Sequence, residues 1–233
     1  MKRFYKSVTS KKDSNYSFRV TLDSKPIKTP NRKIINLPNK NLANALAREW
    51  RKQKKVILLE KMPITQLLFM AFDYILVKKS KFIKEMLEMY ETDLVFYWTE
   101  ESGELLRRQK RTWLPLINWA EKYYKIDCKY SKGVMPITQS KKSIQTLRII
   151  LNGLDPFILT AAYNSSKLSK SLLVPLAMVE GFLDFKTAIK VFMLDEFYQN
   201  ECWGKDKVQT LRQKAIEKEL KDTYSFMKLC KVS

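Results

Sequence analysis

The chain has 233 residues, 44 Lys+Arg against 24 Asp+Glu for a net charge of +20, no histidine, three cysteines and five glycines. Without histidine there is no Ser-His-Asp triad, Cys-His dyad, imidazole base or His metal ligand, and Cys128, Cys202 and Cys230 are too scattered for a zinc or iron–sulfur cage. The isolated glycines form no phosphate loop, and 45% hydrophobic residues at this length describe a folded chain that buries roughly 70–75% of its unfolded surface without disulfide staples.

The amino terminus is basic and lacks an apolar core or small-residue cleavage site, so no secretory signal is expected. Phe4, Lys6 and Val8, then Phe18, Val20 and Leu22, alternate as strands do and not as a mitochondrial presequence does. The expected location is a bacterial-type cytoplasm, where dispersed thiols are harmless. Phe4–Val8 and Phe18–Leu22 predict two strands separated by a polar loop over Ser10–Asn15, and Asp23-Ser24 predicts a tight turn. Ile34–Leu37 predicts a further strand after the Pro30-Asn31 turn. A helix follows Pro38, with Asn39 as cap and a stripe of Leu42, Ala45, Leu46 and Trp50, and its basic end over 51–55 suits the negative helix terminus. One amphipathic helix on a small antiparallel sheet makes a two-layer amino-terminal domain over residues 1–62.

Residues 63–233 predict a larger, mainly helical bundle domain, so the fold class is α+β. Helices are expected over 64–77, 81–91, 103–124, 141–152, 156–167, 169–180, 184–203 and 205–230. Gly153, Gly181 and Gly204 fall where helices would end, and Asp155-Pro156 is a cap followed by a first-turn proline. Two β-like pieces, 94–98 and 126–130, are expected to pair. The longest apolar stretch, Leu172–Val179, has eight residues including Pro175, whereas a membrane helix needs about 20, so no membrane insertion is expected.

The charge is uneven: residues 1–62 carry 17 basic and 4 acidic side chains, a net of +13, and the rest carry +7. Such an excess raises nucleic acid as a partner, and a basic RNA- or nucleoprotein-binding module is the alternative reading of function. Against it, 34 lysines outnumber 10 arginines, no nucleic-acid motif is present, and a solvated lysine surface accounts for the excess.

The segment Asp184–Gly204 carries the most informative pattern. On one helix, Phe185, Ile189, Phe192 and Trp203 share a stripe with Glu196 and Gln199 in its middle, and Val191, Leu194, Phe197 and Tyr198 make the other faces partly apolar. A well-buried helix is expected. A carboxylate there is costly unless bonded, so Glu196 reads either as an internal anchor bonded to Lys, Arg, Tyr or a backbone amide, or as a groove residue meeting a partner. Adjacent helical residues point about 100° apart, so Asp195 and Glu196 make no enzymatic dyad. Trp50, Trp98, Trp113, Trp119 and Trp203 are expected in the core, and nine methionines suit a holding function.

These residues, in their order and spacing, resemble one family. Arg3-Phe4-Tyr5-Lys6-Ser7-Val8 and Phe18–Asp23 are followed by Glu49-Trp50, Met62-Pro63-Ile64-Thr65 and Glu91-Thr92-Asp93-Leu94. Then come Trp113-Leu114-Pro115, Gly133-Val134-Met135-Pro136, Leu154-Asp155-Pro156-Phe157, and Leu194-Asp195-Glu196-Phe197-Tyr198-Gln199 with Trp203-Gly204. The chain is similar, nearly end to end, to the mitochondrial and α-proteobacterial assembly chaperones that act on the α subunit of the F-type ATP synthase. The resemblance implies a small α/β domain before a helical one, no catalysis, no cofactor and no metal. It implies the α subunit as partner; nucleic acid is not expected as a partner, and the chain is expected to be a monomer. It implies a functional role for Glu196, by position the acidic residue of the family motif, and the partner-binding surface is expected around the 184–203 helix at Asp195, Glu196, Tyr198 and Gln199. Trp50, Asp93, Trp113 and Trp203 are implied as structural motif residues, Trp50 for folding more than for contact.

Overall fold

The computed structural model describes residues 1–14 and 17–231. They form two compact units. The first contains all of Met1–Lys79 together with Asp155–Ala161 and Asp222–Ser233, and the second contains Ser80–Leu154 and Ala162–Lys221.

In the first unit β1 (Val8–Ser14), β2 (Ser17–Leu22) and β3 (Lys25–Pro26) form an antiparallel sheet in chain order, with Val8 opposite Leu22 and Ser10 opposite Val20. The β2–β3 connection is Asp23-Ser24 at φ 45° and 70°, the left-handed pair that a two-residue hairpin requires. The Asp23 carboxylate also accepts the Lys6 and Ser7 N–H groups at 3.0 and 2.7 Å, which holds its carboxyl below the usual range and ties the preceding segment to the turn.

Three expectations need correction here. Strand one starts at Val8, because Phe4–Ser7 is held by side chains instead of a ladder. Ser10–Ser14, expected as loop, belongs to β1: this edge strand has an exposed outer row, so polar residues suit it as well as a loop does, while Asn15 lies outside the described residues. Ile34–Leu37 makes only isolated bridges, Lys28–Ile34 and Phe18–Leu37.

Helix α1 (Lys40–Arg51) starts where Asn39 Oδ1 accepts the Leu42 N–H at 2.8 Å, and it lays Leu42, Ala43, Leu46 and Trp50 onto β1 and β2. Glu49 reaches from its other side to α2 (Pro63–Met70), accepting the Ile64 and Thr65 N–H groups at 2.8 Å each. Those are orphan donors of a helix start, and a carboxylate there also suits the helix dipole. The single helix expected to reach 77 widens into a π-helical turn at Ala71–Ile75, where buried Asp73 accepts the Thr29 hydroxyl and the Asn31 N–H.

The second unit takes in nearly all of α3 (Lys79–Glu91), then α4 (Glu104–Tyr124), α5 (Lys141–Gly153), α7 (Leu173–Val179), α8 (Phe185–Phe192) and α9 (Leu194–Trp203). Helix α6 (Pro156–Ser169) and helix α10 (Lys207–Cys230) each contribute residues to both units. The expected helix 169–180 shortens to α7, which is buried throughout, and α4 packs against α7 and α9. β4 (Tyr97–Trp98) pairs in parallel with β5 (Ser131–Lys132), and α4 serves as the crossover that a parallel pair needs. The expected partner, 126–130, is not a strand. Side chains satisfy it instead: Ser143 Oγ takes the Asp127 N–H at 2.8 Å, Glu121 the Cys128 N–H at 3.1 Å, and the Gln139 amide both backbone groups of Lys129 at 3.0 and 2.7 Å. Among the described residues no helix is long and apolar enough to cross a membrane.

Candidate functional site

Expected as one buried helix, 184–203 is two. The bend at Met193 has a visible cause. In an unbroken helix the Val191 carbonyl would take the Asp195 N–H; here it accepts the indole N–H of fully buried Trp113 at 2.8 Å. Helix α8 ends there, and α9 restarts from Met193, whose carbonyl takes the Phe197 N–H at 2.9 Å. The predicted stripe is therefore cut: Ile189 and Phe192 are buried, whereas Trp203 is 80% exposed. The α9 half is a surface helix with its amino-terminal turn anchored, so the expectations of a buried helix and a core Trp203 do not hold.

The four candidate residues of α9 have distinct environments. Asp195 is half-buried, with Oδ1 accepting the Gln109 side-chain N–H at 2.9 Å; the other end of that amide accepts the Thr99 N–H at 2.9 Å. Burial pushes the Asp195 carboxyl up. Glu196 is also half-buried and points the other way: its oxygens meet Arg212 Nη2 at 3.2 Å and Gln213 Nε2 at 3.4 Å, fastening α9 to the start of α10. Tyr198 lies under the Arg108 guanidinium, 5.4 Å from the ring centroid, and its hydrogen bond to the Cys202 thiol holds its hydroxyl pKa up. Arg108 itself is gripped by Glu104 Oε1 at 2.9 Å and Glu201 Oε2 at 2.6 Å. Gln199 is exposed. With Asp195 it lines an open cavity of about 460 Å³ whose other walls include Trp98, Leu105, Gln109 and Val134. Gly133, beside Val134, donates its N–H to Trp98 O at 2.7 Å with φ 82°, a backbone conformation open to glycine.

The remaining motif residues lie elsewhere. Asp93 is fully buried: one oxygen caps the turn Leu94–Phe96 through the Val95 N–H at 3.2 Å, and the other accepts Ser171 Oγ, Leu172 N and Leu173 N at 2.8, 2.7 and 3.1 Å. Burial outweighs these bonds and pushes its carboxyl up to about 6. Trp50 belongs to the first unit, buried against Tyr5, whose hydroxyl donates to the Trp50 carbonyl at 2.7 Å. Cys128 is buried, and desolvation pushes its thiol up to about 12, far from a nucleophile's range. Among the described residues no three His, Cys, Asp or Glu side chains gather as metal ligands.

Sequence reasoning missed the apolar positions around the α9–α10 joint. Val208 and Leu211 are 73% and 69% exposed, and with Trp203 they put three large apolar side chains in water within nine residues. The signal was available in the flanks: Glu201, Gly204, Lys205, Asp206 and Lys207 surround Trp203 with residues that avoid a core. The partners Gln109, Arg108 and Arg212 had no such signal, because nothing in a single sequence pairs positions so far apart.

Comparison with known proteins gives consistent results. A family model described as ATP12 chaperone protein matches residues 2–121. The mitochondrial protein atp12 of Schizosaccharomyces pombe is 28% identical over 215 residues, covering 87% of this chain and 74% of that protein. The crystal structure of Atp12 from Paracoccus denitrificans superposes with a TM-score of 0.93 at 30% identity, over 99% of this chain and 98% of that one. An aspartate-to-lysine mutant of the same P. denitrificans protein superposes equally well.

Proposed function

The chain belongs to the ATP12 chaperone family, and from that membership we propose that it binds the unassembled α subunit of the F-type ATP synthase, covers its apolar interface and promotes assembly of the catalytic head. An unassembled subunit exposes apolar surface that its neighbours will later cover, and that surface self-associates if left in water. A chaperone of this kind needs contacts that form readily and yield when the proper neighbour arrives. Apolar anchors with charge steering meet that need without a bond-making step or a cofactor.

The observation that carries the reading is the α9–α10 joint, where Trp203, Val208 and Leu211 remain in water beside the charged side chains of α9. Burying one such side chain against a partner contributes roughly 1.5–3 kcal/mol, so three contribute about 4.5–9 kcal/mol against the cost of association, and further contacts along α9 supply the remainder of a moderate, reversible complex. In this reading Gln199 and Tyr198 face the client, Asp195 orients the helix start through Gln109, and Glu196 shapes the surface by holding α9 to α10. The chain acts as a single copy in a bacterial-type cytoplasm; the S. pombe relative is mitochondrial by name.

Affinity purification of the tagged full-length chain from cells of its source, followed by mass spectrometry, tests the partner. The ATP synthase α subunit should dominate the recovered protein, at near-stoichiometric amount. Recovery of the chain without it, or with nucleic acid in its place, overturns the assignment.

A further inference from the structure

Apart from the α9 surface, the first unit holds a cavity of about 600 Å³. Phe4, Tyr5, Leu22, Ile27, Ile34 and Trp50 form its apolar walls. They are fixed in place: the Tyr5 hydroxyl is bonded to the Trp50 carbonyl, and Asp23 holds Lys6 and Ser7 by their N–H groups. Two wall residues nevertheless remain in water, Phe4 at 64% exposure and Ile34 at 37%. An apolar concavity of this size with an exposed aromatic lip is suited to receiving a side chain.

Two further observations define what it would receive. The first is charge. Asp23 is the one carboxylate among the lining residues, and it is already engaged by backbone N–H groups, whereas Lys25 and Lys28 at the rim make no ion pair among the described residues. They belong to a stretch, residues 1–62, with a net charge of +13. The second is the exposed apolar wall: Phe4 and Ile34 stay in water, and an incoming apolar side chain would cover them.

We propose that this pocket is a second docking point for the protein client, receiving one apolar side chain from an extended acidic segment, with flanking carboxylates on Lys25 and Lys28. The proposal rests on the reading of the chain as a client-binding chaperone. It gives the basic excess of the amino-terminal unit a task that a lysine-rich surface alone does not need: attraction of acidic client sequence over about a Debye length.

The test uses the full-length chain and a fluorescein-labelled peptide with a central phenylalanine flanked by three glutamates on each side, followed by anisotropy. The wild-type chain should bind it. Replacing the central phenylalanine with serine should weaken binding by about tenfold or more. Phe4→Ser, and the pair Lys25→Glu with Lys28→Glu, should each weaken binding by about tenfold, and raising salt should weaken it further. Both sites of change are exposed, so folding should survive, which circular dichroism checks. Absent binding, equal binding by the variants, or displacement of the peptide by a single-stranded RNA oligomer overturns the proposal. Trp203→Ala should leave peptide affinity unchanged. A chain that protects the α subunit yet ignores the peptide sinks only this inference, and one that binds the peptide yet ignores the α subunit sinks only the assignment of the client.

Discussion

Asp93 and Glu196 are carboxylates of the same unit with opposite circumstances. Asp93 is enclosed and fully occupied by four donors from two chain segments, and Trp113 nearby in sequence order is likewise enclosed with its N–H bonded to Val191. Glu196 is half in water, held by one arginine and one glutamine, in a region where Trp203, Val208 and Leu211 are exposed. The interior pair holds backbone in place. The surface region leaves apolar and charged side chains in water. Substitutions in the two regions should therefore separate stability from client protection.

The largest effect should come from the interior. Trp113→Ala removes a fully buried indole and the bond that ends α8, and should destabilise the chain by about 3–5 kcal/mol in urea denaturation. A loss under 1 kcal/mol would show that the bend at Met193 does not depend on it.

Asp93 should give a pH signature. Its folded pKa, about 6, lies above the ordinary carboxylate value, so its contribution is full below about pH 4 and is lost as the pH rises through 6. Taking Asp93→Asn as a reference that does not titrate, wild-type stability relative to the variant should fall by about 3 kcal/mol between pH 4 and pH 7. If it rises instead, the four hydrogen bonds outweigh burial.

At the surface the stability effects shrink. Glu196→Lys places an ammonium against Arg212 and should cost about 1 kcal/mol or less, because surface ion pairs contribute little. Its protection of the α subunit should nevertheless disappear. Trp203→Ala should change stability by no more than about 0.5 kcal/mol, given the exposure of the indole. A thermal shift of many degrees in either variant would erase the distinction between the two regions.

Much of the fold was legible in the sequence because its punctuation is local. Asn39, Ser140, Asp155 and Asp184 each cap the helix that begins beside them, and Asp23-Ser24 forms the predicted turn. What escaped is non-local. The break after α8 sits where Val191 accepts an indole N–H from 78 positions away, the segment 126–130 is satisfied by Glu121, Gln139 and Ser143, and the polar composition of β1 reads as loop until its pairing with β2 is known. The segment proposed as the site was legible as helix but not in its local geometry. The residues 184–203 split into α8 and α9, with Ile189 and Phe192 buried and Trp203 left in water, which a straight-helix projection cannot show.

The most direct test follows light scattering by unassembled α subunit as it is diluted from denaturant into buffer with an equimolar amount of this chain. Wild type should suppress the scattering, while folded Glu196→Lys and Trp203→Ala should let it proceed nearly as in buffer alone. Full protection by both variants, or none by the wild type, would contradict the account.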